Sequence, residues 1–597
     1  MSFKLTSLYP CNPVATRGQY TKLSSSKDKI IYTNGRTVII RDLKNPSQVI
    51  ANSGHVQPAT VARISPTGYY CASADAGGTV RVWDLVGEDQ VLKAEYKVLS
   101  GRINDLEWDG ESKRIITVGD GRDKFGHAFM MDTGSSTGEI AGHSKVINAV
   151  SIRHQRPFRA ATAGDDATII FHQGVPFKYD KTINTHTKFV QDVRYASSGD
   201  HFASVGSDAK VFVYDGKTGE TLAEFTDSPH TGSIYASSWS PDSKSIVTSS
   251  ADCTVKLWDV ETKKAVTTWN LRKGVSYQQV GNTWTPGDDI VSLSISGDLN
   301  VFDKRAGDKP ARVLQAPTKA ISSAIPTPGS DTFVVGTNDG RVLSFSDSEY
   351  STVEGSGHAS LVSGLGVASS GEIYSAGLDD TLREIDLNGK SFTQASYTTA
   401  SQPKSLAIAK DNTVFLAEVN GVEAVRSNQK LHDLKTSYTP SSVAATSTLV
   451  AVGGEDNKVH LYDWDGKALK ESGVLEGNKG VVGAVAFNPD GNLLAAGDST
   501  GKIVLFDVQK HSTVTSRWSF HSARIHSLAW TPDGKHCASG SLDTHIYIWS
   551  VDNPVKNIAI KNAAPNGVSA VFWLGDKKLA GTGADGCART WDVTFHP

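Results

Sequence analysis

Apolar and polar residues alternate along short stretches of this chain, and turn residues separate the stretches. Ile234–Trp239 alternates in this way, Pro241-Asp242 forms a turn signal, and residues 245–249 and 254–258 follow as two more runs. Runs rich in β-branched and aromatic residues, bounded by Pro, Asp and Ser, are typical of β-strands. The pattern therefore predicts short strands joined by tight turns.

The same unit recurs along nearly the whole chain. Each copy ends in an aromatic or aliphatic residue followed by Asp, or in a substitute for that pair. In chain order the terminal pairs are Arg41-Asp42, Trp83-Asp84, Met131-Asp132, His172-Gln173, Tyr214-Asp215, Trp258-Asp259, Phe302-Asp303, Phe345-Ser346, Ile385-Asp386, Arg426-Ser427, Tyr462-Asp463, Phe506-Asp507, Trp549-Ser550 and Trp591-Asp592. From Asp42 to Asp592 there are 550 residues over 13 intervals, an average of about 42. That period is typical of WD repeats, each of which forms one four-stranded blade of a β-propeller.

Histidines and aspartates recur at fixed distances from the terminal pairs. Six histidines precede the terminal residue of their unit by 28 to 30 positions: His55, His143, His186, His230, His358 and His521. Eight aspartates precede it by seven: Asp166, Asp208, Asp252, Asp339, Asp379, Asp456, Asp543 and Asp585. In the WD-repeat proteins that this pattern resembles, such residues share a hydrogen-bond network within each blade. We therefore interpret them as structural rather than catalytic, because buried loop ends carry polar groups that need partners.

Fourteen units fit two rings of seven better than one large ring. We predict an all-β fold of two tandem seven-bladed WD40 β-propellers, comprising residues 11–317 and 318–597, with the division where Pro310 and Pro317 interrupt the strands. Only five residues follow Asp592, too few for a fourth strand, whereas residues 3–9 alternate like one. We predict that residues 3–9 complete the last blade and cover its open edge; a frayed N-terminal tail is the alternative.

Composition and motifs argue against several classes of function. The formal net charge is −3, so no overall basic field favours nucleic acid or an anionic membrane. No apolar run of about 18 residues occurs, and no P-loop, GxSxG, HExxH or dinucleotide motif stands in its required context. The five cysteines are far apart and form no CxxC pair. We predict a monomeric, cytoplasmic, non-enzymatic protein without catalytic residues, cofactor or metal.

Residues that the blades do not need for folding indicate a binding face. The third unit is the longest, with 48 residues from Asp84 to Asp132. Its extra length lies in the turn at residues 120–126, which is expected to raise Arg122, Asp123, Lys124 and Phe125 above the ring.

The two units that follow add further candidates. Asp165 is expected to face solvent, because Asp166 takes the structural position. Phe189 stands where WD repeats usually carry a small residue or proline, and Lys178 and Tyr179 lie on the predicted outer strand of the fourth blade. An exposed aromatic residue beside charges is typical of a binding hot spot. The alternative is a solvated rim with Phe189 packed against a neighbouring blade.

Several local strings resemble the actin-interacting protein 1 family more closely than the repeat alone requires. They are TRG at residues 16–18, GDGRDKFG at 119–126, RPFR at 156–159, PFK at 176–178 and HTKFV at 186–190. The resemblance implies binding to actin filaments decorated with cofilin, promotion of filament severing and disassembly, restriction of barbed-end growth, and a location in cortical actin structures. It also implies that Asp123, Asp165, Lys178, Tyr179 and Phe189 bind these partners.

Two other functions stay open from the sequence alone. A generic WD-repeat scaffold would form a stable multi-subunit complex and leave actin unaffected. A propeller enzyme would need convergent acids or a metal site near the central channel of a ring. Co-sedimentation with filaments, with and without cofilin, separates the scaffold from an actin-binding protein.

Overall fold

A computed structural model describes residues 2–46, 48–87 and 89–595 of the chain. Over these residues it contains 56 β-strands and a single helical turn, the 3-10 turn Val275–Tyr277. The strands form fourteen antiparallel four-stranded sheets, one for each predicted unit. The predicted all-β fold of WD blades is therefore confirmed.

The sixth blade shows why the strands form where they do. The strand Ser245–Ser250 is covered on both faces by its neighbours. Its consecutive residues Ile246 and Val247, which point to opposite faces, are therefore both apolar and both buried. The outer strand Lys264–Asn270 instead alternates between exposed and covered positions. Most inner strands carry a β-bulge after their first residue, as between Ile234 and Ala236, and the bulge redirects the side chain that it contains.

Contacts between Cα atoms divide the chain into two compact units, and the first comprises Asn12–Gln315. We call this unit the first propeller, and it contains seven sheets. From the inner to the outer strand, blade 1 is Ser24–Ser26, Lys29–Asn34, Thr37–Asp42 and Val49–Asn52; blade 2 is Ala59–Ile64, Tyr70–Asp75, Thr79–Asp84 and Leu92–Lys97; blade 3 is Ile103–Trp108, Arg114–Gly119, Gly126–Met130 and Ser136–Gly138; blade 4 is Ile147–Ile152, Arg159–Gly164, Ile169–Gln173 and Lys178–Ile183; blade 5 is Val190–Tyr195, His201–Gly206, Val211–Asp215 and Thr221–Glu224; blade 6 is Ile234–Trp239, Ser245–Ser250, Thr254–Asp259 and Lys264–Asn270; blade 7 is Gln279–Trp284, Ile290–Ser294, Leu299–Phe302 and Arg312–Leu314.

Blade 7 returns to blade 1 and closes the first ring. The Thr21 backbone N–H donates to the Val280 carbonyl at 2.8 Å, and the Ser25 hydroxyl donates to the Trp284 carbonyl at 3.0 Å. Asn12 Nδ2 donates to the carbonyls of Gly297 and Leu314 at 2.9 and 2.8 Å. Blade 1 and the segment before it are therefore hydrogen-bonded to blade 7, which joins the first blade of the ring to the last.

The second compact unit comprises Met1–Cys11 and Ala316–Pro597, and we call it the second propeller. It also contains seven sheets. Blade 8 is Ile321–Pro326, Phe333–Thr337, Val342–Ser346 and Glu349–Thr352; blade 9 is Val362–Val367, Ile373–Gly377, Thr381–Asp386 and Ser391–Thr398; blade 10 is Pro403–Ile408, Val414–Glu418, Gly421–Arg426 and Gln429–Lys435; blade 11 is Pro440–Ala445, Leu449–Gly454, Val459–Trp464 and Leu469–Leu475; blade 12 is Val482–Phe487, Leu493–Asp498, Ile503–Asp507 and Ser512–Trp518; blade 13 is Ile525–Trp530, His536–Ser541, Ile546–Ser550 and Asn557–Ile560; blade 14 is Val568–Trp573, Lys578–Gly583, Ala588–Thr594 and Ser2–Tyr9.

The outer strand of blade 14 comes from the start of the chain. Ser2–Tyr9 pairs antiparallel with Ala588–Thr594, and the Tyr9 ring then packs against Phe345 with their centroids 4.3 Å apart. On the other side of the same closure, Phe333 of blade 8 meets Phe572 of blade 14 at 5.4 Å. The division between the units falls between Gln315 and Ala316, two residues before the position expected from the sequence.

Inner strands of the first propeller converge on a buried ionic network. Asp105 Oδ2 lies 2.8 Å from Arg194 and 3.7 Å from Lys22, and its Oδ1 lies 3.1 Å from Arg63. Asp192 pairs with Lys22 at 3.0 Å and with Arg194 at 2.9 Å. Burial alone would raise the pKa of Asp105, but the three cations outweigh it and hold that pKa well below its ordinary value. The network joins blades 2, 3 and 5 to the segment before blade 1.

Candidate partner-binding site

All six predicted histidines occupy the structural position. Each donates or accepts a hydrogen bond through Nδ1 with an aspartate and through Nε2 with a hydroxyl of its own blade. The pairs are His55–Asp75, His143–Asp166, His186–Asp208, His230–Asp252, His358–Asp379 and His521–Asp543. The interpretation of these residues as parts of the fold is confirmed.

Blade 6 has the complete network. His230 Nδ1 lies 2.8 Å from Asp252 Oδ2, its Nε2 lies 2.8 Å from Thr248 Oγ1, and Trp258 Nε1 donates to the same hydroxyl at 2.8 Å. Burial lowers the pKa of His230, so the imidazole is neutral near pH 7. For Asp252, burial alone would raise the pKa, but hydrogen bonds from His230, Thr254 and the Thr231 N–H lower it. These groups are engaged with one another and are not free for acid–base chemistry.

In some blades the N–H groups of the loops are bound by acidic residues that the spacing pattern does not identify. Asp75 and Asp498 each stand nine positions before the terminal aspartate of their blade rather than seven, and both accept N–H groups of the adjoining loops. Blade 10 has no histidine or aspartate at these two positions. There the carboxylates of Glu418 and Glu423 accept the backbone N–H groups of Ser401 and Ala400, at 2.8 and 3.2 Å. A search for His and Asp alone could not find this acid pair.

Strand order defines which residues share a face of the ring. Because the four strands of a blade are antiparallel, the turn between strands two and three emerges at the same end as the loop that leads to the next blade. We call this end the upper face. Asp123 and Asp165 lie in such turns, after Arg114–Gly119 and Arg159–Gly164, and Phe189 lies in the loop before Val190–Tyr195.

Asp165 and Phe189 line one open hollow on this face, with a volume of about 550 Å³. Phe189 is 47% exposed, so it is not packed away against a neighbouring blade. Asp165 is half-buried, and its Oδ1 accepts a hydrogen bond of 2.7 Å from Asn148 Nδ2. Lys188 and Tyr235 are among the other residues that line it. The hollow combines aromatic surface with charges of both signs.

Tyr179 and Lys178 lie at the outer edge of blade 4 and do not line the hollow. Tyr179 is 50% exposed, and its hydroxyl lies 3.0 Å from Thr182 Oγ1. Its ring covers Gly142, where a β-carbon would come within 2.9 Å of Tyr179 Cδ2 and where φ is 111°. A glycine is thus required beneath this ring, and the loop that begins there continues to Lys145 in the wall of the hollow.

The loop before Lys178 is fixed to the neighbouring blade. The Phe177 N–H donates to the Thr137 carbonyl and the Glu139 N–H donates to the Phe177 carbonyl, both at 2.9 Å. The Phe177 side chain is fully buried. These bonds join the outer edges of blades 3 and 4, so that Lys178 starts from a rigid position.

One detail of the predicted face is wrong. Phe125 does not stand above the ring with its neighbours; it is half-buried and packs on the cluster that contains Ile140 and Phe177. Asp165 faces the open hollow, and Asn148 holds one of its two carboxylate oxygens. Arg122, Asp123 and Lys124 are exposed as expected. Among the described residues, no hydrogen bond or ion pair joins Asp123 to the other four candidates.

Charged groups converge in the buried ionic network of the first propeller. Every oxygen of Asp105 and Asp192 accepts at least one hydrogen bond or ion pair, with Ser237 donating twice to Asp192 Oδ2. These carboxylates are therefore occupied in holding the ring together. Over residues 2–46, 48–87 and 89–595, no group of three or more His, Cys, Asp or Glu side chains is arranged to hold a metal ion. In the same ranges, no helix has the length and apolar character needed to cross a membrane.

Comparisons with known proteins agree with the repeat assignment. The family model "WD domain, G-beta repeat" matches residues 46–84, 177–215, 219–259 and 512–550, and "Anaphase-promoting complex subunit 4 WD40 domain" matches residues 442–524. The chain is similar to "Actin-interacting protein 1" of Drosophila melanogaster, with 38% identity over 99% of this chain and 98% of the relative. It is also similar to "WD repeat-containing protein 1" of Xenopus tropicalis, with 37% identity over 100% of both chains. A third relative is the "66 kDa stress protein" of Physarum polycephalum, with 37% identity over 99% of this chain and 100% of the relative.

Proposed function

This chain belongs to the actin-interacting protein 1 family of WD-repeat proteins, and we propose that it binds actin filaments decorated with cofilin, promotes their disassembly and restricts growth at barbed ends. The observation that carries the proposal is full-length similarity to a protein named for its interaction with actin. The protein works as a monomer in the cytoplasm, at cortical actin structures. It uses no cofactor and performs no catalysis.

The upper face of the first propeller is the proposed contact. Asp165 and Phe189 supply a charged and an aromatic anchor in one hollow, and Lys178 and Tyr179 extend the surface to the edge of blade 4. Asp123 adds an exposed charge on blade 3. Each anchor is borne by a turn or strand that is hydrogen-bonded to the rest of the ring, so little conformational freedom is lost on binding.

Disassembly follows from differential affinity. A rigid surface that fits the cofilin-altered filament better than the bare filament stabilises the altered form by the ratio of the two affinities. This shift favours the strained filament and its breakage. The energy comes from binding and from the state of the filament, so nucleotide hydrolysis by this protein is not needed.

The test compares the wild type with a variant that carries Asp123→Lys, Asp165→Lys and Phe189→Ala. Co-sedimentation measures binding to filaments with and without cofilin, and fluorescence microscopy of single filaments measures severing. We expect at least about a tenfold loss of affinity for cofilin-decorated filaments, because hot-spot residues commonly account for 2 kcal/mol or more each.

A matched control changes the other face of the same ring. Asp200→Lys, Glu220→Lys and Tyr69→Ala reverse two exposed carboxylates and truncate one exposed aromatic residue, all in turns at the lower ends of blades 2 and 5. This variant should bind and sever like the wild type. Equal activity of the upper-face variant would refute the assignment of the face. If the wild-type protein does not bind filaments and is isolated in a stable multi-subunit complex, the result supports the generic scaffold instead.

A further inference from the structure

The two anchors of the hollow come from different blades, and a single buried side chain connects them. Asn148 lies on the inner strand Ile147–Ile152, whereas Asp165 follows the second strand of that blade and Phe189 precedes blade 5. We propose that Asn148 is a positioning residue for partner binding, which fixes the Asp165 carboxylate and the main chain beside Phe189 in one arrangement. This role rests on the proposed function.

The contacts of Asn148 use its whole amide. Nδ2 donates to Asp165 Oδ1 at 2.7 Å and to the Val190 carbonyl at 3.0 Å, and Oδ1 accepts from the Tyr20 hydroxyl at 3.2 Å. A flipped amide would set its oxygen against a carboxylate and a carbonyl, so the partners fix the orientation. Asn148 is only 4% exposed, which strengthens these bonds and makes their loss costly.

A β-bulge aims this side chain. The register of the inner strand shifts between Ile147 and Ala149, so Asn148 has no partner residue on the next strand. Bulges commonly redirect a side chain out of the regular alternation. Here the redirected amide reaches the turn of its own blade, the first residue of the next blade and the segment that precedes blade 1.

The Asp165 carboxylate is held in a way that leaves part of it for a partner. Oδ1 receives the bond from Asn148, while Oδ2 has no hydrogen-bond or ion-pair partner among the described residues. The residue lines the hollow together with Phe189. Val190, whose carbonyl is the second acceptor, directly follows Phe189. Asn148 therefore controls the direction of the charge and the position of the aromatic anchor together.

Asn104 provides an internal comparison for the structural part of this role. It occupies the bulge of blade 3, between Ile103 and Asp105, and donates Nδ2 to the Ile147 carbonyl at 3.0 Å, which is the same bond between blades. It is also buried, but its hydrogen bonds in the described structure include none to a carboxylate. The bond to Asp165 is what distinguishes Asn148.

The experiment measures affinity for cofilin-decorated actin filaments in full-length variants. Asn148→Ala should weaken binding about three- to tenfold, the range expected when one ordered side chain becomes mobile. Asn104→Ala should leave affinity unchanged, and thermal unfolding should show a loss of stability for both variants that is larger for Asn148→Ala, which removes three hydrogen bonds. Tyr20→Phe removes only the hydroxyl that donates to Asn148 Oδ1, so it should weaken binding by a smaller factor. This variant tests the same role if Asn148→Ala does not fold.

A double-mutant cycle separates positioning from a general loss of structure. In an Asp165→Ala background, Asn148→Ala should cost less affinity than it does in the wild type, because only its bond to the Val190 carbonyl beside Phe189 is left to position the surface. Additive losses, or equal effects of Asn148→Ala and Asn104→Ala in the wild-type background, would overturn this role while leaving the proposed function intact. Failure of the wild type to bind decorated filaments would overturn both.

Discussion

Replacing Glu418 by Gln should remove a pH-dependent weakness from blade 10. Glu418 is 2% exposed, its Oε2 accepts from the Ser401 N–H at 2.8 Å, and it lies beside the equally buried Glu423. Glu423 in turn pairs with Lys430 at 2.9 Å and accepts from the Tyr397 hydroxyl at 2.6 Å. Two buried carboxyl groups with one lysine favour retention of one proton.

The sign of the effect follows from where that proton is bound. Burial, together with the Glu423 carboxylate, raises the pKa of Glu418 from 4.5 to about 8. Between these two values the folded state keeps a proton that the unfolded state has lost, so the free energy of unfolding falls as pH rises. The full slope is about 1.4 kcal/mol per pH unit, which gives a loss of about 2 kcal/mol between pH 6 and pH 8.

The assay is urea unfolding of the wild type and of Glu418→Gln at both pH values, with hydrogen exchange of peptides from residues 397–430 to localise the effect. The advantage of the variant over the wild type should be about 2 kcal/mol greater at pH 8 than at pH 6, since the amide cannot ionise. Glu455→Gln removes an exposed carboxylate that pairs with Lys404 and should show no such change. A pH dependence identical in the wild type and Glu418→Gln would refute the reasoning.

Two further predictions concern the blades. His230→Ala should destabilise the first propeller by about 2–4 kcal/mol in urea unfolding, because Asp252 and Thr248 lose a buried partner. The control His511→Ala, on an exposed turn, should cost less than about 0.5 kcal/mol. Equal effects of the two substitutions would contradict the structural role of His230. Deletion of residues 2–9 should expose the edge of Ala588–Thr594, lower the unfolding temperature of the second propeller in calorimetry and promote self-association in light scattering. A synthetic peptide of residues 2–9 should reverse both changes, and an unaltered monomer with unaltered stability would contradict the pairing.

Much of the fold could be predicted because a blade repeats its own constraints. His230, Asp252 and Trp258 stand at fixed separations since they must meet around Thr248, and the same need recurs in other blades. The alternation of residues 3–9 and the small number of residues after Asp592 predict the strand that pairs with Ala588–Thr594. Local periodicity therefore carries both the strands and the number of blades.

The candidate site was only partly predictable, because its decisive contacts join residues that are far apart in the chain. Asn148 reaches Tyr20 and Val190 from other segments, and no spacing rule relates the three. Phe125 stands in a long turn, which predicts exposure, but the cluster around Ile140 covers it in the folded chain. Glu418 and Glu423 accept the loop N–H groups of blade 10 in place of the histidine and aspartate, and the repeat pattern does not contain glutamate at these positions.

The buried polar groups of this protein hold the blades together, which supports the binding role proposed above. In the network of Asp105, Asp192 and Arg194 the charges pair with one another, and in the six histidine pairs the aspartate accepts a hydrogen bond from a residue of its own blade. Removing such a group to serve a substrate would weaken the ring, since an unpaired buried charge is costly. At Asp165, Asn148 fixes one carboxylate oxygen, and the other has no hydrogen-bond or ion-pair partner among the described residues. Under the proposed function, a frame of this kind loses little conformational entropy on binding, so a difference in fit between two forms of a filament becomes a difference in affinity.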